Sequence, residues 1–505
     1  MATDTDQPDG AGSREDDQTG RQMSFTVLAS IVGMALRYVS AVLTTRVLGA
    51  ALFGSYVQAQ TITQLLSTSA TLGLSPGVVP FVARERLAED VLRLRATVRA
   101  TLSVAMVSSA LIAAALFLLA PWLAESVFDD PALEQVLRWL APMVVLAALL
   151  LTTLAVVQGF KAMRVHAFVG SVVTVVATLA GLVVTVSFDF GLHGVLVATL
   201  LGPATGLACG LWFIQAHVPG ALRPSAPSAP WPVRSLVTTC WPLLGTGLIT
   251  FALSSLDILM LGVLSESGEV GVYGAAARLL PAVFVVHMSA AQLFYAHASE
   301  RYVAGDMQGV GALYKRTGRW SIWSALGTAM LMVIWGREIL GLFGPEFAAG
   351  GPVLAVLALG HAAVALTGSC GKALIAMGRL RQNMCNVATM LVLNVALNFL
   401  WIPEHGALGA AFATLAARAI VRLAQALQVW WSYRIHPWSP DSAVAMLAAG
   451  VAYVAAQPVR QGFGGSYGWL VSMAAFGAAW LGLYLAFGVS KEDRAAARKL
   501  LFRRR

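Results

Sequence analysis

The sequence predicts an all-α polytopic membrane protein of about 14 transmembrane helices, folded as two six-helix lobes in parallel repeat around a central cleft, with two helices appended. Three observations lead there. The composition is apolar and poor in charge, apolar runs recur from end to end, and a residue pattern in the first half returns in the second.

Of the 505 residues, 58% are apolar and 12% charged, against about 45 to 50% and about 25% in soluble proteins. That composition excludes a water-soluble fold. A crossing takes about 20 apolar residues, and runs such as Leu102 to Leu119 and Met143 to Val157 supply them repeatedly. The net charge of +9 comes from basic residues in short turns and in the tail from Lys491 to Arg505. It fits a membrane surface better than nucleic acid, and no nucleic-acid partner is expected.

In chain order, residues 1–22 form a polar arm with six acids against Arg14 and Arg21, expected to be disordered and cytoplasmic. Lacking an apolar run, it is not a secretory signal. The candidate spans follow at 23–48, 54–82, 100–120, 134–158, 165–187 and 192–216, which make an N-lobe of residues 23–216. A linker of residues 217–236 leads to spans at 237–264, 271–297, 318–342, 350–376, 383–402 and 406–433, a C-lobe of residues 237–433. Spans at 441–457 and 467–488 are the appended pair within residues 434–488, and residues 489–505 are a basic tail.

Loop charge tests the count, because one missed span would swap the sides of every later turn. With both termini cytoplasmic, about 26 of the 34 Lys and Arg fall inside; only Arg46, Arg138, Arg337 and Arg460 fall outside. Trp122, Trp139, Trp335, Trp401 and Trp469 lie at span ends, at the depth that suits an amphipathic ring.

At a shift of about 215 residues, Gly191, Gly194, Ala198, Thr199 and Leu200 match Gly406, Gly409, Ala413, Thr414 and Leu415. Glu85-Arg86 matches Glu300-Arg301, Phe128 matches Phe343, and Arg164 matches Arg379. Gly54 and Tyr56 match Gly271 and Tyr273 two residues further on. Six spans separate the copies, so both halves have one orientation, a parallel repeat about the membrane normal. Two such bundles leave a cleft that rocking opens to either side, which suits transport.

The chemistry lies in ionisable groups within spans, where an unpaired charge costs at least about 2.5 to 3.5 kcal/mol. Arg37, Arg278, Arg418 and Arg422 are such groups, the last two one turn apart on one helix face. Guanidinium stays protonated and grips phosphate oxygens in pairs, so these arginines are candidates to bind an anion. Against this, they can pair with carbonyls or acids or reach the headgroups. Asp257, the one acid well inside a span, is an ion-coupling candidate or the partner of Arg278 in a static ion pair. His287, His297 and His361 titrate in the range a coupled cycle needs, although a lone membrane histidine is more often a packing residue. Lys161, Arg164, Lys372, Arg379 and Arg381 lie at cytoplasmic span ends, as anchors or as first contacts for an arriving phosphate.

Other chemistries find little support. Gly371-Lys372 lacks the rest of a phosphate loop. Cys209, Cys240, Cys370 and Cys385 stand singly without disulfide or zinc spacing. Asp129-Asp130, a weak candidate for the acid pair of a membrane glycosyl transferase, sits at a helix start where acids favour the dipole. The Gly202, Gly206, Gly210 ladder reads as close helix packing. No enzyme activity, cofactor or metal is expected.

The segments TTRVLGAALFGSYVQAQ (44–60), SSLDILMLGVLSESGEVGVYGAAARL (254–279) and GALGAAFATLAAR (406–418) resemble the polysaccharide transporter family. These are the oligosaccharide flippases of the multidrug, oligosaccharidyl-lipid and polysaccharide exporter superfamily. The matching elements are Asp257, Leu261-Gly262, Gly271 and Tyr273 in span 7 and beyond, and Arg46, Leu48-Gly49, Gly54 and Tyr56 in span 1 and beyond. The resemblance implies a flippase moving a polyprenyl-diphosphate-linked oligosaccharide from the inner to the outer leaflet of a bacterial cytoplasmic membrane. It also implies Arg46 as a fifth substrate-binding arginine, membrane lipid as a partner, and a polysaccharide polymerase and glycosyltransferases as neighbours in the pathway. Lipid II flippases share the architecture and also use intramembrane arginines. An ion-coupled drug exporter is disfavoured by the two appended spans and by the excess of Arg over Asp.

Overall fold

The structure, a computed structural model, describes residues 9–223, 227, 229–438, 440–462 and 468–489. Helix begins at Asp9, inside the segment expected as a polar arm, whose residues 1–8 lie outside the described residues. The basic tail from residue 490 also lies outside them. Among the described residues there is helix and turn and no strand.

The chain divides into two compact units, residues 1–259 and 260–505. Unit 1 holds α1 (Asp9–Ala70), α2 (Leu74–Leu87), α3 (Val91–Trp122), α4 (Pro131–Gly159), α5 (Met163–Phe168), α6 (Thr174–Phe188), α7 (Gly191–His217) and most of α8 (Val233–Leu264). Unit 2 holds the end of α8, then α9 (Ser267–Ala277), α10 (Pro281–Val303), α11 (Met307–Gly341), α12 (Gly351–Leu366), α13 (Cys370–Ala376), α14 (Leu380–Tyr433), α15 (Pro440–Gly462) and α16 (Gly468–Leu483). By length and apolarity, nine helical runs among the described residues can cross a membrane, and the α9–α10 pair, bent by 46°, is a tenth. Two of the nine carry two expected spans each. Leu28–Leu87 covers the first two, and Leu380–Tyr433 covers the pair joined at Gly406.

The unit boundary falls inside α8, later than the expected linker at 217–236, and packing explains why. Leu236 and Cys240 are buried with Leu74 and Ala100. The Gly73 and Gly77 positions lie so close to Cys240 that a Cβ at either would collide with it. The linker itself is fixed to α3. Arg99, which is 9% exposed, donates through Nε to the Ala221 carbonyl (2.9 Å) and through Nη2 to those of Gly220 (2.7 Å) and Arg223. Arg95 reaches the Pro227 carbonyl at 3.2 Å. Replacing Arg99 with alanine strands three carbonyls, a loss on the order of 3 kcal/mol. The detergent-solubilised variant is expected to melt several degrees lower, with Arg99→Lys intermediate; an unchanged melting temperature would refute the clamp.

Turn geometry repeats between the halves. Left-handed Glu89 and Gly305 precede Asp90 and Asp306, whose carboxylates cap α3 and α11 through the Arg93 and Gly309 amides (2.9 and 2.7 Å). Left-handed Lys161 and Gly378 precede the first residues of α5 and α14, and Gly191 and Gly406 share φ = 53°. By cap position Arg379 corresponds to Ala162, so Arg164 is matched by Arg381.

In lipid, apolar burial does not drive helices together, so close contact and polar bonds must. Gly202, Gly206 and Gly210 of α7 sit directly against Thr178, Thr174 and Thr153, a close seam with α6 and α4. Helix α16 joins α11 through tryptophan: Trp335 donates to Ser472 Oγ and Trp480 to the Trp323 carbonyl, both at 3.1 Å.

Candidate functional site

Polar groups inside the spans come in two kinds, neutral and acidic side chains that tie helices together, and basic side chains. The first kind accounts for several motif residues. Tyr56 is buried with its hydroxyl 2.8 Å from Thr199 Oγ1, and Gln60 donates to it at 3.1 Å. Asp130 caps α4 at the Ala132 amide (3.0 Å) and accepts from Ser55 Oγ at 2.5 Å, which joins α4 to α1. Its carboxylate is thus committed to the helix start. Glu269 reaches the Ala407 amide at 2.8 Å, where α14 breaks at Gly406.

The second kind centres on arginine. Arg37 stands on α1, exposed, four residues after Gly33, whose close approach to Ser171 fixes that face against the chain before α6. Its guanidinium has no hydrogen bond or ion pair among the described residues. Arg46 lies on α1 one turn before the break at Gly49. Arg278 sits at the bend between α9 and α10, where its amide donates to the Gly274 carbonyl. Leu280 and Pro281 then start the new helix.

Arg418 and Arg422 are on successive turns of α14. Arg418 Nη1 lies 2.8 Å from His361 Nε2 and 3.0 Å from Nδ1. His361 Nδ1 also lies 3.0 Å from the Leu357 carbonyl. The network therefore assigns a neutral ring that donates to Leu357 from Nδ1 and accepts from Arg418 at Nε2. Arg422 Nη1 donates to Gln425 Oε1 at 3.2 Å and lies 3.9 Å from Cys370 Sγ. Gln425 passes the chain on to Asn383 Oδ1 at 3.4 Å. No carboxylate among the described residues pairs with Arg422. Phe284 stands between His287 and His361, with ring centroids 4.9 and 5.6 Å away.

Asp257 is buried, 6% exposed. Lys372 covers the Tyr295 ring at 5.3 Å. Arg379 covers that of Tyr433 at 5.5 Å and donates to its hydroxyl at 3.2 Å. Lys161 and Arg164 are exposed with no side-chain partner among the described residues. A separate cavity of about 750 Å³ lies between α6 and α7, lined by Gly181, Val184, Val197, Ala198 and Leu201; it is apolar and holds none of the candidates.

Sequence reasoning did not join His361 to Arg418, nor see Gln425 and Asn383 as companions of Arg422. His361 and Arg418 are 57 residues apart and Asn383 and Gln425 are 42 apart, so packing brings those pairs together, whereas Gln425 follows Arg422 by one helical turn and could have been found from spacing.

The sequence pattern of the family described as polysaccharide biosynthesis protein matches residues 19–294. That described as MatE matches residues 242–400. No curated protein matches. Several solved structures are similar in fold. The lipid II flippase MurJ in an inward closed conformation has 13% identity and a TM-score of 0.73 over 94% of this chain and 99% of that one. An inward-facing multidrug resistance MATE family transporter of the MOP superfamily has 11% identity and a TM-score of 0.67 over 82% and 97%. A MOP superfamily transporter from Pyrococcus furiosus, its binding pocket described as reversed in polarity, has 12% identity and a TM-score of 0.51 over 82% and 95%.

Proposed function

The chain belongs to the polysaccharide biosynthesis protein family and has the fold of MOP-superfamily flippases and exporters, and on that premise we propose that it flips a polyprenyl-diphosphate-linked oligosaccharide from the inner to the outer leaflet by alternating access. The observation that carries this reading is the state of two intramembrane arginines. Arg37 has no polar partner among the described residues, and Arg422 has only neutral ones. A guanidinium held this way within a span is costly unless it meets water or an anion. A diphosphate supplies the anion, and paired N–H groups match its oxygens. Arg37, Arg46, Arg278, Arg418 and Arg422 are the proposed headgroup ligands, and the polyprenyl tail stays in lipid. Lys161 and Arg164, with Lys372 and Arg379, are proposed first contacts on the cytoplasmic side, and Asp257 is the proposed ion-coupling group. The membrane is proposed to be the bacterial cytoplasmic membrane with both termini inside, where glycosyltransferases supply the substrate and a polymerase consumes it.

A second reading, a lipid II-type flippase, draws on the MurJ fold extending over 94% of the chain. The headgroup chemistry is shared, so the cargo must be tested directly. In proteoliposomes loaded with either carrier, accessibility of the sugar to an external modifying enzyme reports flipping. The oligosaccharide carrier is expected to move and lipid II to move at least tenfold more slowly; the reverse order selects the second reading. Arg37→Ala and Arg278→Ala are each expected to lower the rate about tenfold with normal insertion, and unchanged rates in both would remove them from the site.

A further inference from the structure

His287 of α10 is 4% exposed, and its Nδ1 has no hydrogen-bond partner among the described residues. A buried polar atom left without a partner is uncommon and asks for a ligand or a proton. Packing brings it toward the arginines of α14: α13 packs on both α10 and α14 and its Cys370 Sγ lies 3.9 Å from Arg422 Nη1, while Phe284, against the His287 ring, also meets His361, the partner of Arg418. Helices packed against α10 carry the other titratable and charged groups of this region: His361 on α12, Cys370 and Lys372 on α13, and Tyr314, Lys315, Arg316, Arg319, Arg337 and Glu338 on α11, while α14, which carries Arg418 and Arg422, packs on α12 and α13. Glu338, in the last turn of α11, is the one carboxylate on the helices packed against α10. On α10 itself the nearest titratable groups are Tyr295 and His297, two turns or more away.

Beside a bare Arg422, a proton on His287 would place two like charges in a dry region. Beside an Arg422 that holds a doubly charged oxyanion, the same proton gains a partner, and Nδ1 gains a bond to donate. We propose that His287 and Arg422 form one subsite that takes an oxyanion and a proton together, the proton passing from bulk water to the His287 ring as the anion binds. This rests on the reading of Arg422 as a phosphate ligand. It deepens that reading by making proton uptake part of headgroup binding, so that cargo and proton load as a unit.

Sulfate tests it, because it does not itself titrate between pH 6 and 8. Calorimetric titration of sodium sulfate into the full-length protein in detergent, against gluconate at constant ionic strength, gives affinity as a function of pH. A ring that is neutral when empty and protonated when filled makes affinity rise about tenfold for each unit of falling pH between its two pKa values. His287→Asn keeps an amide near the Nδ1 position but cannot titrate, so its affinity is expected to be flat with pH. Arg422→Gln is expected to lose binding at least tenfold; should it fail to fold, Arg422→Lys should bind more weakly than the wild type and keep the pH slope. His361→Gln controls for the neighbouring ring and should retain the slope. A wild-type slope in His287→Asn, wild-type affinity in Arg422→Gln, or no sulfate binding by the wild type would each overturn the proposal. Flipping measured in parallel separates the two readings, since intact transport with a flat sulfate profile sinks this subsite alone.

Discussion

Replacing Arg422 with alanine is expected to lower transport of the lipid-linked sugar about tenfold to a hundredfold without preventing insertion. The magnitude follows from one charge-assisted hydrogen bond to phosphate, about 1.5 to 3 kcal/mol, at about 1.4 kcal/mol per factor of ten. The direction follows from its surroundings. Gln425, Cys370 and Asn383 orient the guanidinium through neutral contacts that leave its charge intact. A residue whose task was to brace α14 would be better served by a carboxylate. Arg422→Lys keeps the charge but loses the paired donors, so it should fall between wild type and alanine. The measurement is flipping rate per inserted molecule, beside the melting temperature. If the temperature falls and the rate per molecule holds, Arg422 is a brace and not a ligand.

The architecture was legible in the sequence because bilayer length and apolar runs leave little freedom, and because the repeat doubles every clue. Asp90 and Asp306, at equivalent turns, start α3 and α11 in the same way. The unit boundary was not legible, since Cys240 looks like any apolar span residue until Gly73 and Gly77 bring α2 against it. The break in span 8 was hidden too: Arg278 and Pro281 are visible, but the 46° bend goes with α9 packing on α12 and α14 while α10 packs chiefly on α11, neighbours that the local sequence does not name. For the arginines, sequence marks the charge and is silent on the partner. Arg418 and Arg422 differ by one turn in the chain, yet one meets His361 and the other Gln425 and Cys370. His361 and Cys370 come from α12 and α13, which leave no local signal in α14, while Gln425 lies on α14 itself one turn past Arg422.

Replacing Gly406 with alanine is expected to give the largest loss of stability, on the order of 3 to 5 kcal/mol, from two causes that can be measured apart. The backbone there has φ = 53° and ψ = −132°, a conformation that costs a side-chain-bearing residue about 1 to 3 kcal/mol. A Cβ would also lie 2.8 Å from Glu269 Oε2, the atom that accepts from the Ala407 amide at 2.8 Å. Moving that carboxylate strands a buried helix-start donor, about 1 to 3 kcal/mol more. Gly191 is the internal control, because it has the same φ and a Cβ there meets nothing within 4 Å. Gly191→Ala therefore carries the backbone cost alone. Glu269→Gln weakens the cap without touching the backbone, and its effect should shrink in the Gly406→Ala background, where the cap is already displaced. Equal losses at Gly191 and Gly406, read from melting of the solubilised variants, would remove Glu269 from the account and leave strain as the whole of it.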